Sequence, residues 1–262
     1  MEPYEDISLD FDQDGKEEIL HVFYEQVINE EYNYPESVTG VVAVIKDGKE
    51  NSVTASVGME YLGNYLMQSE DGGYYLYMES AWENDWHTIS VFDVNQGFPV
   101  FLGTADVGGF YDMTPFDAND FYVSKILNIM GTWSGFQKCR VGKDGFPEPL
   151  RQDYTIWRVE EADLFDYEPA EEEIYGVVTL RRELEAYSYK NPEKPEDGAM
   201  KVIPVGTELI PYRTDGETWM TFRIGEGTYI DVFYDAADPD ALERTIHGIE
   251  EYDLFDGVLQ AG

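Results

Sequence analysis

Alternation of apolar and polar positions is the main pattern along this chain. Residues 38–45 read VTGVVAVI and residues 52–57 read SVTASV, with Asp47-Gly48 between them. Two alternating runs joined by Asp-Gly predict a β-hairpin with a tight turn. The same pattern predicts further strands in the first half of the chain at residues 74–80, 86–91 and 98–102.

One segment in this half has a helical period instead. Residues 117–130 read DANDFYVSKILNIM, in which Asp117 or Asn119 can cap a helix and Gly131 can end it. The N-terminal part is therefore expected to be β-rich with one or two helices. The apolar face of this predicted helix consists of Phe121, Ile126, Leu127, Ile129 and Met130.

Short strands with tight turns between them dominate the last third of the chain. Turns at Asp215-Gly216 and at residues 225–227 favour a small barrel-like β domain. Residues 205–209 (VGTEL) and 215–219 (DGETW) resemble the core of bacterial Src-homology-3-like barrels. This resemblance implies binding of cell-wall peptides or attachment to surfaces, with Trp219 stacking on a ligand or packing in the core. The predicted strands are residues 177–180, 183–189, 201–205, 208–213, 219–224 and 229–234.

A repeated motif helps to place the domain boundary. Residues 155–166 (TIWRVEEADLFD) and 245–256 (TIHGIEEYDLFD) are identical at eight positions. We interpret each copy as a strand, an acidic turn and a Leu-Phe pair that plugs the end of a domain. The acidic residues 166–173 (DYEPAEEE) then form a linker. The chain is predicted to be mainly β (α+β), with domains at residues 1–168 and 172–262.

The charge of the chain excludes several partners. Its 54 acidic and 17 basic residues give a net charge of -37 over 262 residues. Such a field repels phosphate backbones, so nucleic acid is not expected as a partner, and anionic membrane surfaces are disfavoured. Most of the acids are expected simply to solvate the surface, and a salt-adapted proteome has the same signature.

Cysteine content and hydropathy limit the compartment and the chemistry. Cys139 is the single cysteine, which excludes an intramolecular disulfide and a cysteine zinc cluster and favours a buried, inert thiol. No apolar run is long enough for a transmembrane segment. The acidic residues 1–6 are unlike the basic start of a signal peptide, so a secreted form is expected to have lost its leader.

Residues 10–18 (DFDQDGKEE) carry the strongest chemical signal. Calcium prefers six to eight oxygen ligands, and alternating carboxylates followed by a glycine turn supply them. The predicted ligands are the side chains of Asp10, Asp12, Asp14 and Glu18 and the carbonyl of Lys16. The alternative is an acidic β-turn without metal.

The flanks of this loop separate it from an EF-hand. Its flanking residues 7–9 and 19–24 are strand formers, and His21 stands where an EF-hand has glutamate. The stretch LDFDQDGKEEIL resembles the calcium loop of FG-GAP or VCBS-type repeats, which implies a structural calcium site. A propeller needs several such loops, and the sequence contains one.

The sequence contains no complete catalytic motif. It lacks Gly-x-Ser-x-Gly, HExxH and a phosphate-binding glycine loop. In so acidic a chain, a pair of carboxylates that cleaves glycosides remains an alternative hypothesis. The aromatic cluster that contains Trp82 and Trp86 is a candidate sugar-stacking face. The alternative is an ordinary strand whose alternating tyrosines point in turn to the core and to the surface. That cluster is Tyr74, Tyr75, Tyr77, Trp82 and Trp86.

These features favour a non-catalytic extracellular or cell-surface protein. The calcium loop, the repeated motif and the acidic balance together resemble uncharacterised secreted or lipid-anchored proteins of Gram-positive bacteria. The expected role is a binding, adhesion or accessory module for glycan or cell-wall peptide, with candidate ligand contacts at Trp82, Trp86 and Trp219. A carbohydrate- or cell-wall-directed hydrolase that uses carboxylates is the alternative, and the oligomeric state is open.

Overall fold

Antiparallel β-sheets make up most of the structure. The computed structural model describes residues 6–31, 34–82, 86–110, 113–156, 176–225, 227–235 and 244–258. The strands are β1 (Ile7–Leu9), β2 (Glu18–Asn29), β3 (Tyr34–Lys46), β4 (Lys49–Gly58), β5 (Glu60–Gln68), β6 (Tyr74–Trp82), β7 (Trp86–Asp93), β8 (Val100–Ala105), β9 (Phe121–Asn128), β10 (Thr132–Val141), β11 (Pro147–Pro149), β12 (Tyr154–Ile156), β13 (Val178–Leu180), β14 (Leu184–Tyr189), β15 (Ala199–Ile203), β16 (Glu208–Thr214), β17 (Trp219–Ile224), β18 (Thr228–Phe233), β19 (Thr245–Ile246), β20 (Ile249–Glu250) and β21 (Phe255–Asp256). Among these described residues, helical structure is limited to a 3₁₀ turn at Pro195–Asp197 and a single α-helical turn, α1, at Glu251–Leu254.

The chain divides into two compact units, each formed by two separate stretches of sequence. Residues 1–125 and 138–150 form the first unit, and residues 126–137 and 151–262 form the second. The predicted linker at residues 166–173 lies outside the described residues. The predicted boundary between residues 168 and 172 therefore stays a prediction, as does the division into two independent domains.

Two four-stranded meanders form most of the first unit. One has the order β1-β2-β3-β4 and the other β5-β6-β7-β8, and all neighbours are antiparallel. The predicted Asp-Gly hairpin is confirmed, since β3 and β4 are joined by Asp47 and Gly48 alone. Both residues have positive φ, at 50° and 74°, as a type I′ turn requires.

The central strands β6 and β7 are buried on both faces. Leu76, Met78 and Phe92 pack with the β1–β4 meander, while Tyr77 and Ile89 belong to a second cluster. That cluster also contains buried residues of β9 and β10. A strand with two buried faces needs a continuous apolar run, which explains the unbroken YYLYM of β6.

The helix predicted at residues 117–130 is wrong. Phe121–Asn128 is strand β9, paired with β10. Phe121, Val123 and Leu127 are buried, and their odd-numbered positions lie on one face of the strand. Aromatic and β-branched residues in this segment favour a strand once a partner is available to pair with it.

The second unit contains the strands that the last third of the sequence predicts. Neighbouring strands run β12-β16-β17-β18-β14-β15, and β13 pairs with β16 and β21. Its core includes Phe222, Ile230, Leu209 and Phe255, all at most 2% exposed. The described strands form open sheets, and the predicted closure into a small barrel stays a prediction.

The second copy of the repeated motif closes the core of this unit. Its residues form the β19–β20 hairpin, α1 and β21, and β21 pairs with β13. Leu254 and Phe255 are 0% and 2% exposed, and the Phe255 ring lies 5.9 Å from that of Phe222. The burial of this Leu-Phe pair is what the plug interpretation expects of the second copy. Only residues 155 and 156 of the first copy are described.

Candidate metal centre and aromatic cleft

The predicted metal loop, residues 10–18, joins two paired strands as expected. Leu9 of β1 lies opposite Glu18 of β2, so the register closes the loop at its base. Gly15 has φ +88°, a left-handed conformation that favours glycine, and its N–H donates to Asp10 Oδ2 at 2.9 Å. We refer to residues 10–18 as the acidic loop.

Three of the predicted ligands converge at this loop. Asp10, Asp12 and Glu18 each place a carboxylate oxygen within 4.8 Å of the others, and we call these three residues the carboxylate cluster. Asp14 is not a member of this group, and its carboxylate pairs with Lys46. The backbone role predicted for Lys16 stays a prediction, while its ammonium group pairs with Asp47 at 3.0 Å.

Glu18 is the most constrained member of the cluster. Its side chain is fully buried, and Oε2 accepts a hydrogen bond from the Phe11 N–H at 2.9 Å. Oε1 and Asp10 Oδ1 are buried oxygens that accept no hydrogen bond from the described residues. Buried carboxylate oxygens of this kind need a cation or a donor, because burying a charge without a partner is costly.

Lys46, which no sequence motif predicts as part of this site, points its ammonium group at the same carboxylates. Lys46 Nζ lies 2.8 Å from Asp14 Oδ2 and 3.5 Å from Glu18 Oε1, and it also pairs with Asp12. Hydrogen bonds to Asp12 and Asp14 raise the pKa of the Lys46 ammonium group, and the bond from Lys46 lowers the pKa of Asp14. The contact joins the first hairpin to the turn after β3, so no local motif could reveal it.

Turns of the second meander surround the acidic loop. Gln13 Nε2 donates to the Gly72 carbonyl at 3.4 Å, in the turn between β5 and β6. Gly97, in the turn between β7 and β8, has φ +67° and faces Lys46 so closely that a Cβ there would lie 2.6 Å from Lys46 Cδ. The acidic loop therefore meets both sheets at one end of the first unit.

The donor set of the cluster fits calcium. All its candidate ligands are oxygens, as a hard cation prefers, and calcium lies about 2.3–2.6 Å from each ligand. Oxygens on opposite sides of the ion are then about 4.6–5.2 Å apart. The three carboxylates, within 4.8 Å of one another, can reach one such ion with small side-chain movements.

Two tryptophans meet at the far end of the second meander. Trp82 ends β6 and Trp86 begins β7, and the two residues pair directly across the strands. They are 44% and 48% exposed, and together with Met59 and Thr88 they line an open cleft of about 560 Å³. Trp82 Nε1 donates to Thr88 Oγ1 at 3.2 Å, which orients the indole.

The remaining aromatic candidates do not join this cleft. Tyr75 and Tyr77 are buried, and the Tyr77 hydroxyl donates to the Gly145 carbonyl at 2.7 Å. The prediction of a wider sugar-stacking face is therefore wrong at these two positions. Trp219 is half-buried in the second unit, opposite Phe233. Trp82 and Trp86 are thus the pair that the structure brings together.

Nucleophile and acid–base candidates are held in structural roles. Cys139 is fully buried, and burial raises the pKa of its thiol to about 12, which agrees with the predicted inert thiol. Glu79, 3% exposed, accepts hydrogen bonds from His87 Nδ1 at 3.0 Å when that nitrogen is protonated and from the Phe110 N–H at 2.6 Å. No carboxylate pair in an open cleft stands out among the described residues. The hydrolase alternative is not tested by this observation and stays a prediction.

Comparison with known proteins adds no relative to this picture. No family model, no curated protein and no solved structure matches the chain. Within the described ranges, no helix has the length and apolar character needed to cross a membrane.

Proposed function

We propose that this chain is a non-catalytic, extracellular or cell-surface binding module whose first unit is stabilised by a structural calcium ion. The convergence of Asp10, Asp12 and the fully buried Glu18 carries this proposal. The ion would be held at the point where the acidic loop meets turns of both sheets, so it would stabilise one end of the unit.

The geometry of the acidic loop supports a structural role for the ion. The Phe11 side chain within the loop is 1% exposed and packs edge-on against Tyr74 at 5.5 Å, which anchors the loop to the core. A cation that neutralises Glu18 therefore strengthens packing as well as the loop itself. Calcium sites of extracellular modules have dissociation constants of about 0.1–1 mM, a concentration range found outside cells.

The Trp82–Trp86 cleft is the proposed ligand site, and a neutral glycan is the proposed ligand. Exposed indoles offer flat apolar faces on which sugar rings stack, and their N–H groups bind hydroxyls. Trp86 and Met59 supply apolar surface, and the Thr88 hydroxyl supplies polarity. The net charge of -37 disfavours anionic ligands.

The calcium part is tested by thermal unfolding of the full chain in EDTA and in about 2 mM calcium, the range of extracellular modules. We expect calcium to raise the melting temperature of the wild type and to leave that of Asp12→Ala nearly unchanged. Asp106→Ala is the matched control, because the Asp106 carboxylate is fully exposed. Equal melting temperatures with and without calcium in the wild type would show that the calcium assignment is wrong.

The ligand part is tested on a glycan array with the wild type, Trp82→Ala, Trp86→Ala and Trp219→Ala. We expect Trp82→Ala and Trp86→Ala each to weaken glycan binding by about 0.5–1.5 kcal/mol, the contribution of an aromatic contact. Trp219→Ala, in the other unit, should bind like the wild type. Binding that survives both cleft substitutions would rule out this site.

A further inference from the structure

The ammonium group of Lys46 lies among the carboxylates that the proposed function assigns to calcium. Lys46 Nζ contacts Asp12 and Glu18, which are two of the three residues of the carboxylate cluster, and it contacts Asp14 as well. The same oxygens are thus available to two cations. One is an ammonium group supplied by the chain, and the other is a divalent ion from solvent.

The fold places Lys46 at this position. Lys46 is the last residue of β3, directly before the two-residue turn, and its ammonium group reaches Asp12, Asp14 and Glu18 of the acidic loop. Its side chain is 25% exposed and passes over Gly97, where any larger residue would occupy the space of the lysine stem. The Lys16–Asp47 ion pair at 3.0 Å connects the loop to the same turn a second time.

Electrostatics make the two cations alternatives to each other. The acidic loop concentrates the charges of Asp10, Asp12, Asp14 and Glu18, and the buried Glu18 is unfavourable without a partner. The Lys46 ammonium group supplies that partner in the metal-free protein. A calcium ion bound to the same oxygens would repel the ammonium group strongly at contact distance.

We propose that Lys46 is the resident counter-ion of the acidic loop and that a divalent cation binds by displacing its ammonium group. This inference rests on the calcium site of the proposed function. Displacement is feasible because the lysine stem is flexible and its ammonium group is readily hydrated. Lys46 keeps the loop and the β3–β4 turn together when calcium is scarce, and it lowers calcium affinity, so the site fills only at high calcium concentration.

The test compares calcium binding by the full-length wild type, Lys46→Met and Lys49→Met, measured by isothermal titration with calcium chloride. Methionine keeps most of the stem and removes the charge. Lys49→Met removes the same charge from the exposed side of the same turn. We expect Lys46→Met to bind calcium about tenfold more tightly than the wild type, and Lys49→Met to stay within about twofold of it.

Thermal unfolding supplies the second readout. In EDTA, Lys46→Met should melt at a lower temperature than Lys49→Met, because Glu18 then lacks its partner cation. Saturating calcium should remove this difference, because the ion replaces the ammonium group.

The possible outcomes separate this inference from the proposed function. Equal calcium affinity of Lys46→Met and Lys49→Met, with the wild type also binding, overturns the displacement and leaves the calcium site intact. Absence of binding in the wild type and both variants removes the calcium site and the displacement together. Binding by Lys46→Met alone supports Lys46 as the occupant of the cation position and contradicts calcium as a stabiliser of the natural chain.

Discussion

The buried carboxylate of Glu18 accepts a hydrogen bond from the backbone N–H of Phe11 at 2.9 Å, across the acidic loop. One oxygen of Glu18 thus belongs to the folded loop, while the other faces the candidate cation position. Phe11 packs in the same core cluster as Leu20 and Val44. The loop is therefore part of the packed structure of the first unit and is more than a solvated acidic turn.

Replacement of Glu18 by glutamine separates these two roles. The amide oxygen of glutamine can still accept the Phe11 hydrogen bond, but the ligand charge is lost. We expect Glu18→Gln to weaken calcium binding by at least about tenfold, because affinity at such sites follows ligand charge. Isothermal titration checks this, with the exposed neighbour substitution Glu17→Gln as the control. Equal affinities of the two variants would contradict the assignment of Glu18 as a ligand.

Leu254 tests the plug role of the second motif copy. Leu254→Ala deletes a side chain that is 0% exposed and should lower the free energy of unfolding by about 2–5 kcal/mol. Tyr252→Ala, at a position 46% exposed in the same helical turn, should cost much less. Urea unfolding of both variants provides the measurement. Similar losses for the two would show that the motif does not contribute to the core.

Tyr77 tests the assignment of the tyrosines of β6 to the core. Tyr77→Phe removes the hydroxyl that donates to the Gly145 carbonyl in a buried setting, so we expect a loss of about 1–2 kcal/mol. Tyr187→Phe removes a hydroxyl with a longer bond of 3.4 Å at an exposed site and should be nearly neutral. Chemical denaturation of both variants is the check. A neutral Tyr77→Phe, with glycan binding lost, would instead favour a ligand role.

Cys139 gives a pH dependence with a defined sign. Burial raises the pKa of the folded thiol to about 12, from an ordinary value of 9.0, so the unfolded chain loses this proton first. The stability contributed by the neutral thiol is complete below pH 9 and declines as the pH rises toward 12. The free energy of unfolding should fall relative to that of Cys139→Ala by up to about 1.4 kcal/mol per pH unit in this window. Parallel profiles of the two proteins would be inconsistent with a buried thiol.

Local patterns predicted the β3–β4 hairpin correctly, but they missed strands β5 and β10, whose partner strands are also close in sequence. The Asp47-Gly48 turn and its alternating flanks identify a hairpin because every interaction that forms it lies within about 20 residues. The helix prediction for residues 117–130 was wrong because the spacing of their apolar positions fits a helix as well as a strand. Only pairing with β10 decides between helix and strand. Strand propensity depends on such packing more than helix propensity does.

The sequence by itself determined the acidic loop, its flanking strands and the candidate ligands, because alternating carboxylates and a turn glycine act over nine adjacent positions. Tertiary structure alone brought Lys46 to that loop and paired Trp82 with Trp86 on an open face, while it buried Tyr77. The reason is physical. Backbone turns depend on neighbouring residues, whereas burial and charge pairing depend on which strands the whole chain places side by side.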